Sequence, residues 1–331
     1  MPNLHRRDVL RMLAPALLAV SSVATLAVRP ANAQAYPTRA VKLIAPYTAG
    51  GANDIIARLV AQWLAERTKG VFIVENRGGA GSNIGTEVAM RAPPDGYTLL
   101  SSSTANAANT SLYPKLKFDF LKDSAPVGMI GMLPNVLLVH PSMPVSSLEE
   151  FIAYAKANPG KVNMGLPGIG SPQHLSAALF AVMTGCDFTF AQYQGGGAVI
   201  NDLVGGHVQA SFSSSASSAK YIQAGTLRGL GVTSAKRLAL LPNLPAIGEV
   251  VPGYEANNFY GISAPRGTPE DIIALINREL EAATRDSTMA ARLEATGLTP
   301  QAMSPIEYGA FLQQETEKWT KVIRTSGITV E

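Results

Sequence analysis

"YTAGGANDIIAR", residues 47–58, places a double glycine directly before what reads as a helix. The preceding run "AVKLIAP" (40–46) is short, apolar and stopped by a proline, so it reads as a strand. After the glycines, Ile55, Ile56, Leu59, Val60, Trp63 and Leu64 recur at the spacing of one helix face. The stretch is therefore a strand-to-helix joint made of bare backbone. Gly50 and Gly51 leave N–H groups unshielded, and a helix N-terminus adds unpaired donors and partial positive charge, a setting that suits an anion. The same residues also make an ordinary tight turn with Asn53 or Asp54 as helix cap. Both readings stand on this stretch alone.

Outward from it, the pattern repeats. Gly70 is placed to end the helix as a left-handed residue, and "VFIVEN" (71–76) is a second strand. "GGAGSNIGTEVAMRA" is a glycine loop feeding a second helix, and "YTLLSSS" (97–103) a third strand. This βαβαβ order predicts a parallel sheet with right-handed crossovers. Further strands are expected at 127–132 and 135–140, then a helix at 148–157 behind Ser146 and Ser147 with Glu149 and Glu150 as a capping box. "KVNMGL" leads into "PGIGSPQHLSAALFAVMTG", another glycine loop opening a helix. Strands 188–193, 208–214, 227–234 and 257–265 and a helix at 197–205 follow. "TPED" (268–271), with Thr268 as cap and Pro269 at the first helical position, and "SPIE" (304–307) start the last long helices. No linker of low complexity and no sequence repeat is visible.

The N-terminus reads as an export signal. His5, Arg6, Arg7 and Arg11 precede an apolar segment at 12–28, and "ANA" at 31–33 is a small-x-small cleavage site. Residues 1–33 are expected to be removed, by the general secretory or the twin-arginine route. About 298 residues then remain, more than one ordinary core needs, which predicts two lobes. The formal charge of +3 includes the four arginines of the first 29 residues, so the mature chain is nearly neutral and nucleic-acid binding gains no support. Cys186 is the single cysteine, so no intramolecular disulfide can form, and it is expected to be buried.

Catalytic motifs are missing from the sequence. There is no G-x-S-x-G elbow and no G-x-x-x-x-G-K-[ST], and the glycines at 79, 81 and 85 miss the dinucleotide spacing by one residue. His140, His174 and His207 have no partner at metal-ligand spacing. No cofactor and no metal are expected. His174 begins a helix after a glycine loop, where it can cap and pack or touch a ligand. "SFSSSASS" (211–218) reads as a strand end or polar loop presenting hydroxyls.

"YPTRAVKLIAPYTAGGANDIIARLVAQWL", "VFIVENRGGAGSNIGTEVAMRAPPDGYTLL", "YQGGGAVINDLVGGHVQASF" and "LRGLGVTSAKRLALLPNLPAIGEVVPGYE" together resemble the Bug-type extracytoplasmic solute-binding receptors of tripartite tricarboxylate transporters. The resemblance runs from Tyr36 to near the C-terminus. It implies an α/β, two-lobed type II periplasmic-binding-protein fold with a ligand cleft between the lobes. The division expected is 36–136 plus 258–331 for a discontinuous first lobe and 137–257 for the second, with the chain crossing on strands 136–140 and 257–263. It also implies a small carboxylate held by backbone donors and ordered water, a periplasmic location, delivery to membrane permease subunits, and a monomer that performs no catalysis. Carried onto this sequence, first-lobe contacts come from Tyr47, Ala49, Gly50, Gly51 and Asp54, with hydroxyls from Ser102, Ser103 and Thr104. Second-lobe contacts come from Gly168, Gly170, Ser171 and His174, and from Tyr193 and Gly195. The chain departs from the family pattern at Pro167 and Pro172 and in "NNFYG" (257–261). Two other functions remain open from sequence: an exported α/β hydrolase-like enzyme using a serine or His174, and a carboxylate sensor for a membrane kinase.

Overall fold

In the computed structural model, which describes residues 36–330, the glycine joint of 47–54 is the first of six strand-to-helix joints that follow parallel strands, four of which contain glycine. The expected export signal lies outside the described residues. β1 (Val41–Ala45), α1 (Ala52–Thr68), β2 (Phe72–Asn76), α2 (Asn83–Met90), β3 (Thr98–Ser103) and α3 (Thr104–Leu112) form three successive strand–helix units. The short α4 (Phe120–Asp123) leads into β4 (Ser124–Leu133), and after Pro134 the chain enters β5 (Asn135–Val139) and α5 (Leu148–Ala157). A second set of three units follows: β6 (Asn163–Leu166), α6 (Pro172–Thr184), β7 (Thr189–Gln192), α7 (Gly196–Val204), β8 (Ala210–Ser214) and α8 (Ser215–Gln223), ending in β9 (Arg228–Val232). β10 (Asn258–Pro265), α9 (Glu270–Arg285), α10 (Ser287–Glu294), β11 (Thr299–Met303) and α11 (Pro305–Ser326) complete the chain.

The strands make two sheets, ordered β11-β4-β10-β3-β1-β2 and β7-β6-β8-β5-β9. β2, β1 and β3 are parallel, as are β7, β6 and β8. The next strand inward runs antiparallel in each sheet, β10 beside β3 and β5 beside β8. β4 and β9 then lie antiparallel to those. The two sheets thus share one topology, a structural repeat that no residue similarity announces. The parallel expectation holds for three strands per sheet and fails beyond them, because β10 and β5 enter directly from the other sheet without a helical crossover.

The crossings also differ from the expectation. No strand is shared between sheets: β5 pairs only in the second and β10 only in the first. The joints fall at Pro134, whose ring has no N–H to offer a ladder, and at Ala256–Asn257. Two further details are corrected. Lys69, φ 58°, is the left-handed end of α1, and Gly70 is needed because a Cβ there would strike Pro37. Thr268 does not cap α9; its hydroxyl donates to Pro265 O at 2.8 Å and Pro269 takes the cap position. The capping box before α11 forms as expected, Ser304 accepting from the Glu307 N–H and Glu307 from the Ser304 N–H. Before α5 only half of it does: Ser147 accepts from the Glu150 N–H, and the Glu150 carboxylate accepts from Ser146 N.

Four helices, α3, α4, α8 and α10, and the strand β11 escape the sequence reading. α3 buries Asn106 and Asn109 beside alanines, so no apolar stripe marks it, and α8 begins inside the serine run read as strand end or loop. The largest apolar core draws on both sheets, joining Leu100, Met129 and Phe259 to Leu137, Met164 and Phe212. Trp319 and Leu312 of α11 belong to the same core, and α11 packs on both α3 and α6. Cys186 is buried and free, as expected.

Candidate ligand-binding site

Because β1, β2 and β3 run parallel, the N-termini of α1, α2 and α3 leave the same edge of the first sheet. α6, α7 and α8 do so in the second. Such edges are where open α/β sheets bind ligands.

In the first lobe, Gly50 turns at φ 85° and Gly51 is the extended cap residue of α1, with no side chain bonding into the helix end. Neither Asn53 nor Asp54 is therefore the cap. Asn53 instead donates its amide to Ser101 O at 3.2 Å. Asp54, 4 % exposed, reaches back along the loop. Its Oδ2 accepts from Gly50 N at 2.9 Å, and its Oδ1 accepts from Asn76 Nδ2 at 2.9 Å and pairs with Arg58 at 2.9 Å. Burial pushes this carboxyl up, but the Gly50 N–H, Arg58 and Asn76 together hold it below its ordinary value. Asn76 Nδ2 also meets Tyr47 O at 3.2 Å, so one amide ties both ends of the loop. Ala49, Gly50 and Gly51 remain exposed at its tip. The N–H groups of Ala52, Asn53 and Asp54 fall in the first turn, where a helix supplies no partner of its own.

The three strand-end hydroxyls separate. Ser103 Oγ meets Tyr47 Oη at 2.9 Å, beside the loop. Thr104 Oγ1 accepts from Phe259 N at 3.0 Å and ties the start of α3 to the returning chain. Ser102 is fully buried and bonds Tyr308 Oη at 2.9 Å and Ser263 Oγ at 3.1 Å. Adjacent strand residues alternate faces, so Ser102 sits on the side packed by α11, opposite Ser103.

In the second lobe, Gly168 and Gly170 take φ 150° and 70°. Ser171 caps α6 by accepting from His174 N at 3.1 Å. Gly170 N donates to His174 Nδ1 at 3.1 Å, which places the imidazole proton on Nε2. Burial lowers the histidine from 6.5 to about 4, so it is neutral near pH 7, and its ring lies edge-on to Phe190. Tyr193 Oη donates to Asp202 Oδ2 at 2.7 Å, and Gly195, φ 100°, donates to Pro167 O at 3.2 Å. A cavity of about 200 Å³ opens between these loops, lined by Ser171, Gln173, Gly196 and Ser213 over Pro167, Val199 and Phe212. Of the ligand contacts expected from sequence only Ser171 lines it, beside Pro167, noted as a departure from the family pattern, and Ser213 of the serine run; Gln173 and Gly196 were missed. No charged side chain lines it.

The lobes meet at α3, where a Cβ on Gly170 would stand 2.7 Å from Leu112 Cδ1. First-lobe residues Tyr47, Ala49, Gly50, Gly51 and Asp54 do not line the second-lobe cavity.

A family model described as the tripartite tricarboxylate transporter family receptor matches residues 56–328. BugT of Bordetella pertussis is 35% identical over 301 residues, covering 90% of this chain and 92% of that protein. Among solved structures, an R. palustris protein with adipate is similar at a TM-score of 0.78 and 36% identity, covering 89% of this chain and 99% of that one. MatC from Rhodopseudomonas palustris with bound malate aligns at 0.73 and 28% identity over 87% of this chain and 100% of that one. The periplasmic binding protein BugD aligns at 0.75 and 28% identity, covering 89% of this chain and 100% of that one. The chain belongs to the receptor family of the tripartite tricarboxylate transporters, the solute-binding proteins that include the Bug type.

Proposed function

We propose that this protein is a periplasmic receptor that captures a small organic carboxylate between its lobes and delivers it to the membrane permease of a tripartite tricarboxylate-type transporter. On this reading it acts as a monomer, without catalysis and without a cofactor, after export and removal of residues 1–33. The observation that carries the reading is the gathering of helix N-termini at one edge of each sheet, with bare glycine at Gly51 and Gly196. These edges present N–H groups, hydroxyls and one amide, which are donors for an acceptor-rich ligand. Hydrogen bonds to a charged acceptor contribute about 1.5–3 kcal/mol each, so a few reach the roughly 8 kcal/mol of micromolar binding without an ion pair. Relatives solved with adipate and malate support the same class of ligand. An enzyme using His174 is disfavoured because its Nδ1 is already occupied by the Gly170 N–H.

The test is native mass spectrometry of the exported protein, followed by calorimetric titration with short mono- and dicarboxylates. A carboxylate that co-purifies unchanged and rebinds is expected. Turnover of the bound acid, or no binding across the panel, overturns the reading. Gly51→Ala sharpens it: the added Cβ would meet nothing nearer than Thr48 O at 3.8 Å, and φ is −81°. Thermal stability should be unchanged while affinity falls about tenfold or more, roughly 1.4 kcal/mol, because only the ligand approaches that face.

A further inference from the structure

Between β2 and α2 the backbone is left-handed at four successive residues, with φ of 126° at Gly79, 46° at Ala80, 62° at Gly81 and 87° at Ser82. Ala80 and Ser82 occupy a region that side chains rarely adopt, so something outside the turn must hold it. Asn109 of α3 does so. Its Nδ2 donates to Gly81 O at 2.7 Å and to Asn83 Oδ1 at 2.8 Å, and approaches Ser82 Oγ at 3.4 Å.

The bond to Asn83 also fixes that residue's amide. With Oδ1 committed to α3, the free end is Nδ2, a donor. Asn83 is 7 % exposed, and its Nδ2 is buried with no hydrogen-bond partner in the protein. A donor left in that condition is expensive unless something brings it an acceptor. Asn83 is also the first residue of α2, but its own N–H donates to Ala80 O and that of Ile84 to Gly79 O, so the donor left over here is the side-chain Nδ2.

The loop lies beside the other capture elements. A Cβ on Gly78 would stand 3.1 Å from Thr48 N, so this loop abuts the 47–54 loop. A Cβ on Gly81 would stand 2.6 Å from Tyr113 Oη, while the neighbouring Leu112 meets Gly170 of the second lobe. Consecutive residues at the end of α3 therefore touch one loop from each lobe.

We propose that Gly79–Asn83 is a ligand-contact loop and that Asn83 Nδ2 donates a hydrogen bond to an acceptor oxygen of the bound ligand. This rests on the carboxylate-receptor reading and adds to it a side-chain contact. The strained turn positions the donor, and Asn109 holds the turn.

The experiment titrates the exported protein and two variants with short mono- and dicarboxylates, adipate and malate included, and records thermal unfolding without ligand. Asn83→Asp replaces the donor by a buried acceptor of the same shape and should weaken the best-bound acid about thirtyfold or more. Ala80→Gly relieves strain at an exposed position; it should raise the unfolding temperature yet weaken binding about fivefold, because the turn is less organised before the ligand arrives. If Asn83→Asp does not fold, Ala80→Gly decides alone. Binding within twofold of wild type in the folded variants overturns the proposal and leaves the receptor reading standing. So does a crystal structure with adipate or malate in which Asn83 Nδ2 meets only water. A wild-type protein that binds nothing in the panel overturns both.

Discussion

The two lobes share a strand order and three strand–helix joints, yet the side chains that hold those joints come from different distances along the chain. In the first lobe side chains splint the loops: Asp54, Asn76 and Arg58 around 47–54, and Asn109 around 79–83. In the second the splint is shorter in reach, Ser171 and His174 of α6 holding the helix start and Gly170, while a Cβ on Gly168, Gly195, Gly196 or Gly197, like one on Gly50 of the first, would find nothing within 4 Å. Both half-sites are partly set before a ligand arrives, the first by residues distant in sequence and the second by the helix it opens. The lesson is that a repeated topology fixes where helix ends gather but not how stiff they are. Stiffness is set by a few side chains from neighbouring strands and helices.

The comparison breaks most severely at Gly170, where the lobes meet. Gly170→Val puts a β-branched residue at φ 70° and against Leu112, so it should cost about 2–4 kcal/mol of stability and at least about a hundredfold in affinity. Chemical denaturation and titration measure the two losses. A neutral outcome would mean that the second-lobe loop can move away from α3 freely.

His174 gives the second lobe a pH signature at milder acidity than the carboxylate of Asp54 gives the first. Its folded pKa is depressed from 6.5 to about 4 by burial, so its contribution is complete above pH 6.5 and is lost as pH falls between 6.5 and about 4. The loss is roughly 3 kcal/mol at the acid end. Denaturation at pH 7 and pH 4.5 should show that slope, and His174→Gln should remove most of it. An equal slope in the variant would assign the acid sensitivity elsewhere.

Asp54→Asn probes the first-lobe splint. Capping alone would make asparagine neutral, but here the carboxylate accepts from Gly50 and Asn76 and pairs with Arg58. An amide must turn a donor toward one of those donors, so a cost of about 1–3 kcal/mol is expected by denaturation. A change below about 0.5 kcal/mol would show that the loop holds without its carboxylate. Smallest is Arg58→Gln: the arginine is 54% exposed, so stability should fall by less than about 1 kcal/mol and affinity stay within about threefold. A hundredfold loss of affinity with the fold intact would put the arginine on the ligand.

Much of the fold could be read from sequence wherever local chemistry decides it. The α1 stripe and the serine caps before α5 and α11 depend on residues within a turn or two of each other. α3 was illegible because its buried face carries Asn106 and Asn109, whose side-chain Nδ2 groups only distant partners satisfy. The site divides in the same way. Ser171 and its glycine loop announced themselves, whereas Asn76 works across 22 residues to Asp54 and Asn109 across 28 to Gly81. Ser102 could have been set apart from Ser103 by strand alternation, had the faces of β3 been assigned.

The position of β10 bears on how the chain acquires its shape. It lies between β3 and β4 in the first sheet, yet it is made of residues 258–265, beyond every strand of the second. As the polypeptide grows from its N-terminus, all five strands of the second sheet are present by Val232, while the first still has a gap at its centre. The lobe that begins the sequence is therefore the one completed last, and its sheet depends on pairings of high sequence separation, which form slowly. A chain interrupted between β9 and β10 would carry all the strands of one half and only the flanks of the other.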